Sequence, residues 1–207
     1  MEWSSLIGII TALIFVVFLP LALKARKKAG PQKREELLEH LKAMGVKASL
    51  MEKGTEEEKV GAGRFGGQRS EGLIKLEGRK IDYINVASVS SQYGVNYFLD
   101  FLVRKPDWSS EKNRKKTTMV KKRSSGIWGK VVDIEFKGDG HLSRELNFDY
   151  QLKDRLMQAQ RDKQKSSIWI YPEPKSEYAR VRTSYLLPSS ELLEAIDIIA
   201  GHIRSGW

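Results

Sequence analysis

The sequence contains no cysteine, and only three histidines in 207 residues. Without a thiolate, a disulfide framework and every cysteine-ligated metal centre are excluded, which is compatible with a reducing compartment. No Asn-x-Ser/Thr acceptor argues for a secretory route. The three imidazoles, His40, His141 and His202, fall on different expected elements, so no metal-ligand spacing emerges and no cofactor is expected. A G-x-S-x-G elbow is missing, which removes the usual setting of an activated serine, and H-R-D and D-F-G elements are missing, which removes a protein-kinase reading.

Charge is missing altogether from Trp3 to Leu23, a run of 21 positions. At about 1.5 Å per residue a helix of that length spans about 30 Å, the hydrocarbon thickness of a bilayer. Six basic residues lie between Lys24 and Arg34, and none lies on the other side of the run. That imbalance predicts a single-pass anchor in the cell membrane with residues 24–207 cytoplasmic. Met1 and Glu2 provide no basic n-region and no small-residue cleavage site follows, so a retained signal-anchor is expected rather than a removed leader. Trp3 is placed as an interfacial aromatic. Ser4, Gly8 and Ala12 recur at intervals of four, the small-residue spacing through which two such helices associate, and they nominate a homodimer contact.

What is present in excess is positive charge, +10 overall, and it is unevenly distributed. Lys24–Arg34 holds +6, Arg104–Arg123 holds nine basic residues against Asp107 and Glu111, and the rest of the chain stands at −3. A nearly neutral body does not offer the continuous basic face that nucleic-acid tracking needs, so nucleic acid ranks below the lipid bilayer as a partner. Each Lys or Arg close to an anionic leaflet contributes roughly 1 kcal/mol, which makes anionic headgroups the expected contact. The nominated contact residues are Lys24, Arg26, Lys27 and Lys28 of the stalk and Trp108, Arg114, Lys115, Lys116, Lys121, Lys122 and Arg123 of a long basic loop spanning 104–126. A segment of that length without periodicity is unusual in a compact domain unless it binds or is disordered.

Periodicity divides the remainder. After Pro31, Leu37, Leu38, Leu41 and Met44 mark a short amphipathic helix stopped by Gly45, and residues 46–51 suit a strand. Thr55 to Gly72 is rich in Gly and Glu and is expected to be a mobile connection. It contains Gly61, Gly63 and Gly66 in the order G-x-G-x-x-G, but the flanks do not supply the strand-to-helix setting of a phosphate loop. Leu73–Leu76 and Ile81–Val86 then read as a hairpin. Val95–Val103 is apolar on both faces, as in a covered central strand, and further strands are expected at Ile127–Phe136, Ser167–Tyr171 and Tyr178–Leu186. One helix is expected from Leu142 to Gln160, its apolar stripe including Leu142, Leu146, Tyr150, Leu152, Leu156 and Met157. A second follows Pro188, Ser189 and Ser190, with Leu192, Leu193, Ile196, Ile199, Ala200 and Ile203 in one stripe.

The expected class is therefore α+β: an N-terminal transmembrane helix (1–23), a stalk, short helix and Gly-rich linker (24–71), and a cytoplasmic domain (72–207) with a mostly antiparallel sheet covered by helices, including an amphipathic C-terminal one. Asp139 and His141 flank Gly140, a placement in which a carboxylate can orient an imidazole as a general base, but Asp139 also stands where a helix N-cap belongs. His202, at the edge of the last helix's stripe, reads as a packed structural histidine. Together these features favour a membrane-anchored binding or scaffolding module that contacts anionic lipid or another membrane protein. A membrane-tethered enzyme of undefined reaction and a nucleic-acid module are the competing classes.

Overall fold

The computed structural model describes residues 29–61, 67–105, 114–125, 129–161 and 167–206. The transmembrane segment, the stalk cations Lys24, Arg26, Lys27 and Lys28, and the Ser4/Gly8/Ala12 stripe lie outside the described residues. Among those that are described, no helix is long and apolar enough to cross a membrane.

The described part opens with helix α1 (29–43), whose Leu37 and Leu41 are fully buried. The helix ends because Gly45 adopts φ 76°, which lets the Val46 amide reach back to the Leu41 carbonyl at 3.0 Å, a Schellman closure completed by burial of Val46. Eight strands follow: β1 (Ala48–Leu50), β2 (Gln68–Leu76), β3 (Tyr83–Ser91), β4 (Gly94–Arg104), β5 (Thr117–Arg123), β6 (Val131–Lys137), β7 (Trp169–Glu173) and β8 (Tyr178–Ser184). Helices α2 (Gly140–Phe148) and α3 (Tyr150–Arg161) lie between β6 and β7, and α4 (Ser190–Gly206) closes the fold.

All strands join one sheet in the order β1-β2-β3-β4-β8-β7-β5-β6, with every neighbouring pair antiparallel. The last strand in sequence is thus inserted beside β4, so β4 is hydrogen-bonded on both edges and Leu99 to Val103 are all buried. Alternation then sorts the side chains. Leu99, Phe101 and Val103 join Ile74, Ile84, Val86, Ile134, Phe136 and Val181 against the apolar stripes of the four helices. Leu102, Leu73, Tyr178 and Val60 form a smaller cluster on the opposite face, under the segment carrying a 3-10 turn at Glu56–Lys59. Removing each large apolar side chain from water contributes roughly 1.5–3 kcal/mol, so the helix-covered face dominates folding.

Several expectations need correction. The stretch 104–126 is not one loop: β5 occupies Thr117–Arg123, and pairs with both β6 and β7. The connection expected from Thr55 to Gly72 is shorter, because Glu56–Lys59 forms a 3-10 turn and Gln68 to Gly72 already pairs with β3 across a bulge at Glu71. The helix expected over Leu142–Gln160 is two helices, since Asp149 caps the second by accepting from the Leu152 amide at 2.9 Å. Tyr150, assigned to its buried stripe, is 81% exposed, and Phe148 is 71% exposed. Within the strand expected at Ile127–Phe136, the alternation that buries Ile134 and Phe136 does not extend to Val132, which is 56% exposed.

The outer edge of β6 is guarded. Asn147 of α2 gives its amide to the Phe136 carbonyl at 2.9 Å and accepts from the Phe136 N–H at 2.8 Å, occupying the groups that a foreign strand would seek.

Candidate functional site

The nominated cations do not converge. Arg114, Lys115 and Lys116 precede β5 and Lys121, Lys122 and Arg123 end it, so about 20 Å of extended chain separates the two triplets. Trp108 lies outside the described residues. The first triplet is engaged locally. The Arg114 guanidinium lies 3.5 Å from the Asp139 carboxylate, both nearly buried, and the Lys115 N–H donates to Asp139 at 3.2 Å. The Lys116 ammonium sits over the rings of Tyr171 and Trp169, 4.9 and 5.9 Å from their centroids.

The second triplet belongs to the β5–β6 hairpin. Lys122 bridges Asp133 at 3.3 Å and Glu135 at 3.4 Å, and its hydrogen bond to Asp133 leads the effects that hold its ammonium above the ordinary lysine range. Arg123 donates to the Gly129 carbonyl at 3.0 Å and Ser124 N–H to the Lys130 carbonyl at 3.0 Å, which closes the hairpin's end. From Thr117 to Val132 the chain carries Lys121, Lys122, Arg123 and Lys130 and no acid, and the last three are exposed.

Strand register fixes where this end lies. β4 descends from Gly94 to Arg104, β8 ascends beside it, β7 descends, and β5 ascends again to Arg123. The β5–β6 tip and the β3–β4 tip therefore share one end of the sheet. α1 starts part-way up the sheet and runs away from this end: Gly30 packs against Glu71 at the Val86–Ala87 level of β3, the Lys33 carbonyl accepts from the Tyr185 hydroxyl at 2.8 Å, and the Lys33 ammonium covers the rings of Tyr185 and Tyr97. Burial, helped by the neighbouring Glu36 carboxylate, pushes the Tyr185 phenol upward, so it remains a donor there. The first turn of α1 and the cationic hairpin are thus both on the tip side of the sheet's lower end, α1 over β2 and the hairpin five strand positions away.

The face opposite the helices holds a polar network that sequence patterning did not reveal. Asp100, fully buried on β4, accepts from Arg182 Nε at 2.6 Å and from Nη2 at 2.7 Å, a bidentate pair across the β4–β8 register. Arg182 also donates to Gln68 at 2.7 Å. Burial alone would lower the Arg182 guanidinium's pKa, but the Asp100 hydrogen bonds outweigh it and raise the value. Arg180, two residues earlier, forms two hydrogen bonds to Glu173 at 2.8 and 3.1 Å, stacks on Tyr171, and lies 3.6 Å from Asp100. Two carboxylates balance two guanidiniums, so this network presents no net charge to a ligand. Gly61 passes so close that a Cβ there would meet the Arg180 guanidinium, which accounts for one glycine of the G-x-G-x-x-G pattern by packing. Gly63 and Gly66 lie outside the described residues, and the element that follows them is strand β2 rather than a phosphate-binding helix.

The histidines have partners of their own. Asp139 caps α2, accepting from the His141 and Leu142 amides at 3.2 and 3.3 Å, and so does not orient the imidazole. His202 contacts Asp149 at 2.7 Å and Glu145 at 3.5 Å, while His141 lies 3.7 Å from Glu145. This joins α2, α3 and α4 at their shared corner. No group of three or more potential metal ligands converges among the described residues. A cleft of about 370 Å³ lies between the 3-10 turn and the β7–β8 connection, lined by Glu56, Glu57, Lys59, Arg104, Lys175 and Glu177 among others. Its charges alternate in sign, and Tyr178 beneath it is kept protonated by burial and by Glu57.

No protein-family model matches this chain, and neither a curated protein nor a solved structure matches it.

Proposed function

We propose that this protein is held in a membrane by residues 3–23 and presents its α+β domain to the cytoplasmic leaflet as a lipid-contacting binding or scaffolding module. The observation that carries this reading is the end of the sheet toward which α1's first residue faces: the β5–β6 hairpin tip there has no acid from Thr117 to Val132 and leaves Lys122, Arg123 and Lys130 exposed. On this reading the stalk cations and the hairpin cations act on the same membrane surface although more than 90 residues separate them in the chain. Contact through Arg114, Lys115 and Lys116 is disfavoured, because these residues start β5 at the other pole.

Two measurements test it. Residues 30–207, mixed with vesicles containing anionic lipid, should bind at low salt and release as salt is raised, with little binding to neutral vesicles. Reversing Lys121 and Arg123 to Glu removes two attractions of roughly 1 kcal/mol each and adds repulsion, so affinity should fall at least about tenfold. Equal binding to neutral vesicles, or none at low salt, overturns lipid contact. Protease added to intact cells should leave the domain uncut; digestion from outside overturns the orientation.

A further inference from the structure

In a chain where 30% of residues are charged, the 17 positions from Tyr83 to Leu99 carry no charge at all. Burial explains this for the lower halves of β3 and β4, where Ile84, Val86, Ala87 and Leu99 are inaccessible. It does not explain the tip. Ser90, Ser91, Gln92 and Tyr93 are exposed, Tyr93 to 92%. The turn is nevertheless well built: Ser91 Oγ accepts from the Tyr93 N–H at 3.3 Å and donates to the Gly94 carbonyl at 3.2 Å, and Gly94 takes φ 131°, a conformation costly for other residues. A braced hairpin that lifts a phenol clear of the domain, with no charge in its own sequence from Tyr83 to Leu99, suits the boundary between headgroups and acyl chains, where an amphipathic ring is favoured at both ends.

Its position matches. Gly30 packs on Glu71, which sits at the bulge between the Ser70–Ala87 and Gly72–Val86 pairs. The tip lies five to six residues beyond Ala87, about 15–20 Å higher at roughly 3.4 Å per residue. A chain running from residue 29 back to Leu23 reaches at most about 20 Å even when fully extended. On the membrane-tether reading, on which this inference rests, so short a stalk keeps the bilayer surface within reach of the tip.

We propose that the β3–β4 hairpin tip is a second membrane contact, with Tyr93 seated in the headgroup layer of the bilayer that holds the anchor. Together with α1 it fixes the sheet end-on to the surface, and the basic β5–β6 tip, three strand spacings from β4 to β5 or about 15 Å along the same edge, is held against the headgroups.

The absence of cysteine makes the test clean. Gln92→Cys, which keeps Tyr93, Tyr93→Cys, and Glu77→Cys at the opposite pole each give the full-length protein a single nitroxide site after reconstitution into vesicles of mixed neutral and anionic lipid. Collision with membrane-soluble oxygen and with a water-soluble nickel chelate reports depth. Labels at 92 and 93 should favour oxygen severalfold over the label at 77. If 92 and 93 match 77 while the protein resists alkaline carbonate extraction, the tip proposal alone falls. If carbonate extracts the protein, the tether reading falls and takes this inference with it. Labels at 92 and 93 shielded from both reagents would replace the lipid by a protein partner.

Discussion

Replacing Asp100 by Asn tests whether the polar network beneath the sheet is structural. The carboxylate is fully buried and receives two short charge-assisted bonds from Arg182, whose side chain is 12% exposed. Asparagine keeps one acceptor and turns an amide donor toward a guanidinium donor, leaving a largely buried positive charge with no counter-charge on β4 and one bond to position 100 where it had two, beside its bond to Gln68. Removing one member of a buried pair costs about 3–5 kcal/mol, because the survivor remains desolvated. With a urea dependence of about 2 kcal/mol per molar for a domain of this size, the midpoint should fall by about 1.5–2.5 M. The assay is urea unfolding of the full-length protein in mild detergent, followed by tryptophan fluorescence. Arg180 retains Glu173, so the paired change Asp100→Leu with Arg182→Met, which removes both charges, should recover most of the loss. The folded D100N protein should bind anionic vesicles as tightly as the parent. A midpoint shift below about 0.5 M, or a double variant as unstable as the single, refutes the desolvation argument; intact stability with lost lipid binding would make the network functional instead.

Three further outcomes follow from particular contacts. Asn147→Ala leaves both the N–H and the carbonyl of Phe136 without their partner and should cost about 1–3 kcal/mol while opening the β6 edge, seen as concentration-dependent association in sedimentation; an unchanged monomer of unchanged stability contradicts the guarding role. Asp149 is held below the usual carboxylate range, burial raising its pKa but the His202 contact and the Leu152 amide prevailing, so its contribution is complete above the unfolded value and disappears as pH falls through the folded one. The urea midpoints of the parent and Asp149→Asn should accordingly differ most near neutrality and draw together as pH falls below the unfolded carboxylate value of about 3.9, and a gap that stays constant through acid would refute the linkage. Gly138→Ala places a methyl group against the Lys116 backbone at φ 139°, a strain of about 1–3 kcal/mol before the clash is counted, and should lower the thermal midpoint more than Gly78→Ala, where nothing lies within 4 Å.

Much of the fold was legible because burial on one face imposes a period. The β2–β3 hairpin, the doubly apolar β4 and the α4 stripe with Ser189 capping the Leu192 amide were readable from spacing alone. What escaped was local competition and distant pairing. Asp149 could be a helical residue or a cap, and only its geometry to Leu152 decides for the cap. Thr117–Arg123 looked like part of a basic loop because its charges mask the buried Thr117 and Met119, and because its strand status depends on β6 and β7, which follow later in the chain. The Asp100–Arg182 pair joins residues 82 positions apart and leaves no local pattern at either end.

The same long-range pairing bears on function. Read along the chain, Arg114 to Arg123 is one cationic cluster, and nothing in its spacing distinguishes its first triplet from its last. Because β5 is extended and antiparallel to β7, the triplets are delivered to opposite poles, one against Asp139 and the aromatic rings of β7, the other to the end toward which α1's first residue faces. A binding model that treats the loop as a unit therefore predicts equal effects from Lys115→Glu with Lys116→Glu and from Lys121→Glu with Arg123→Glu. The antiparallel register predicts unequal ones. The second pair should weaken anionic-vesicle binding at least about tenfold, and the first should change it by less than about twofold. Equal losses from both pairs would mean that lipid meets the flank of the sheet and not its pole, and would remove the geometric basis for seating Tyr93 in the headgroups.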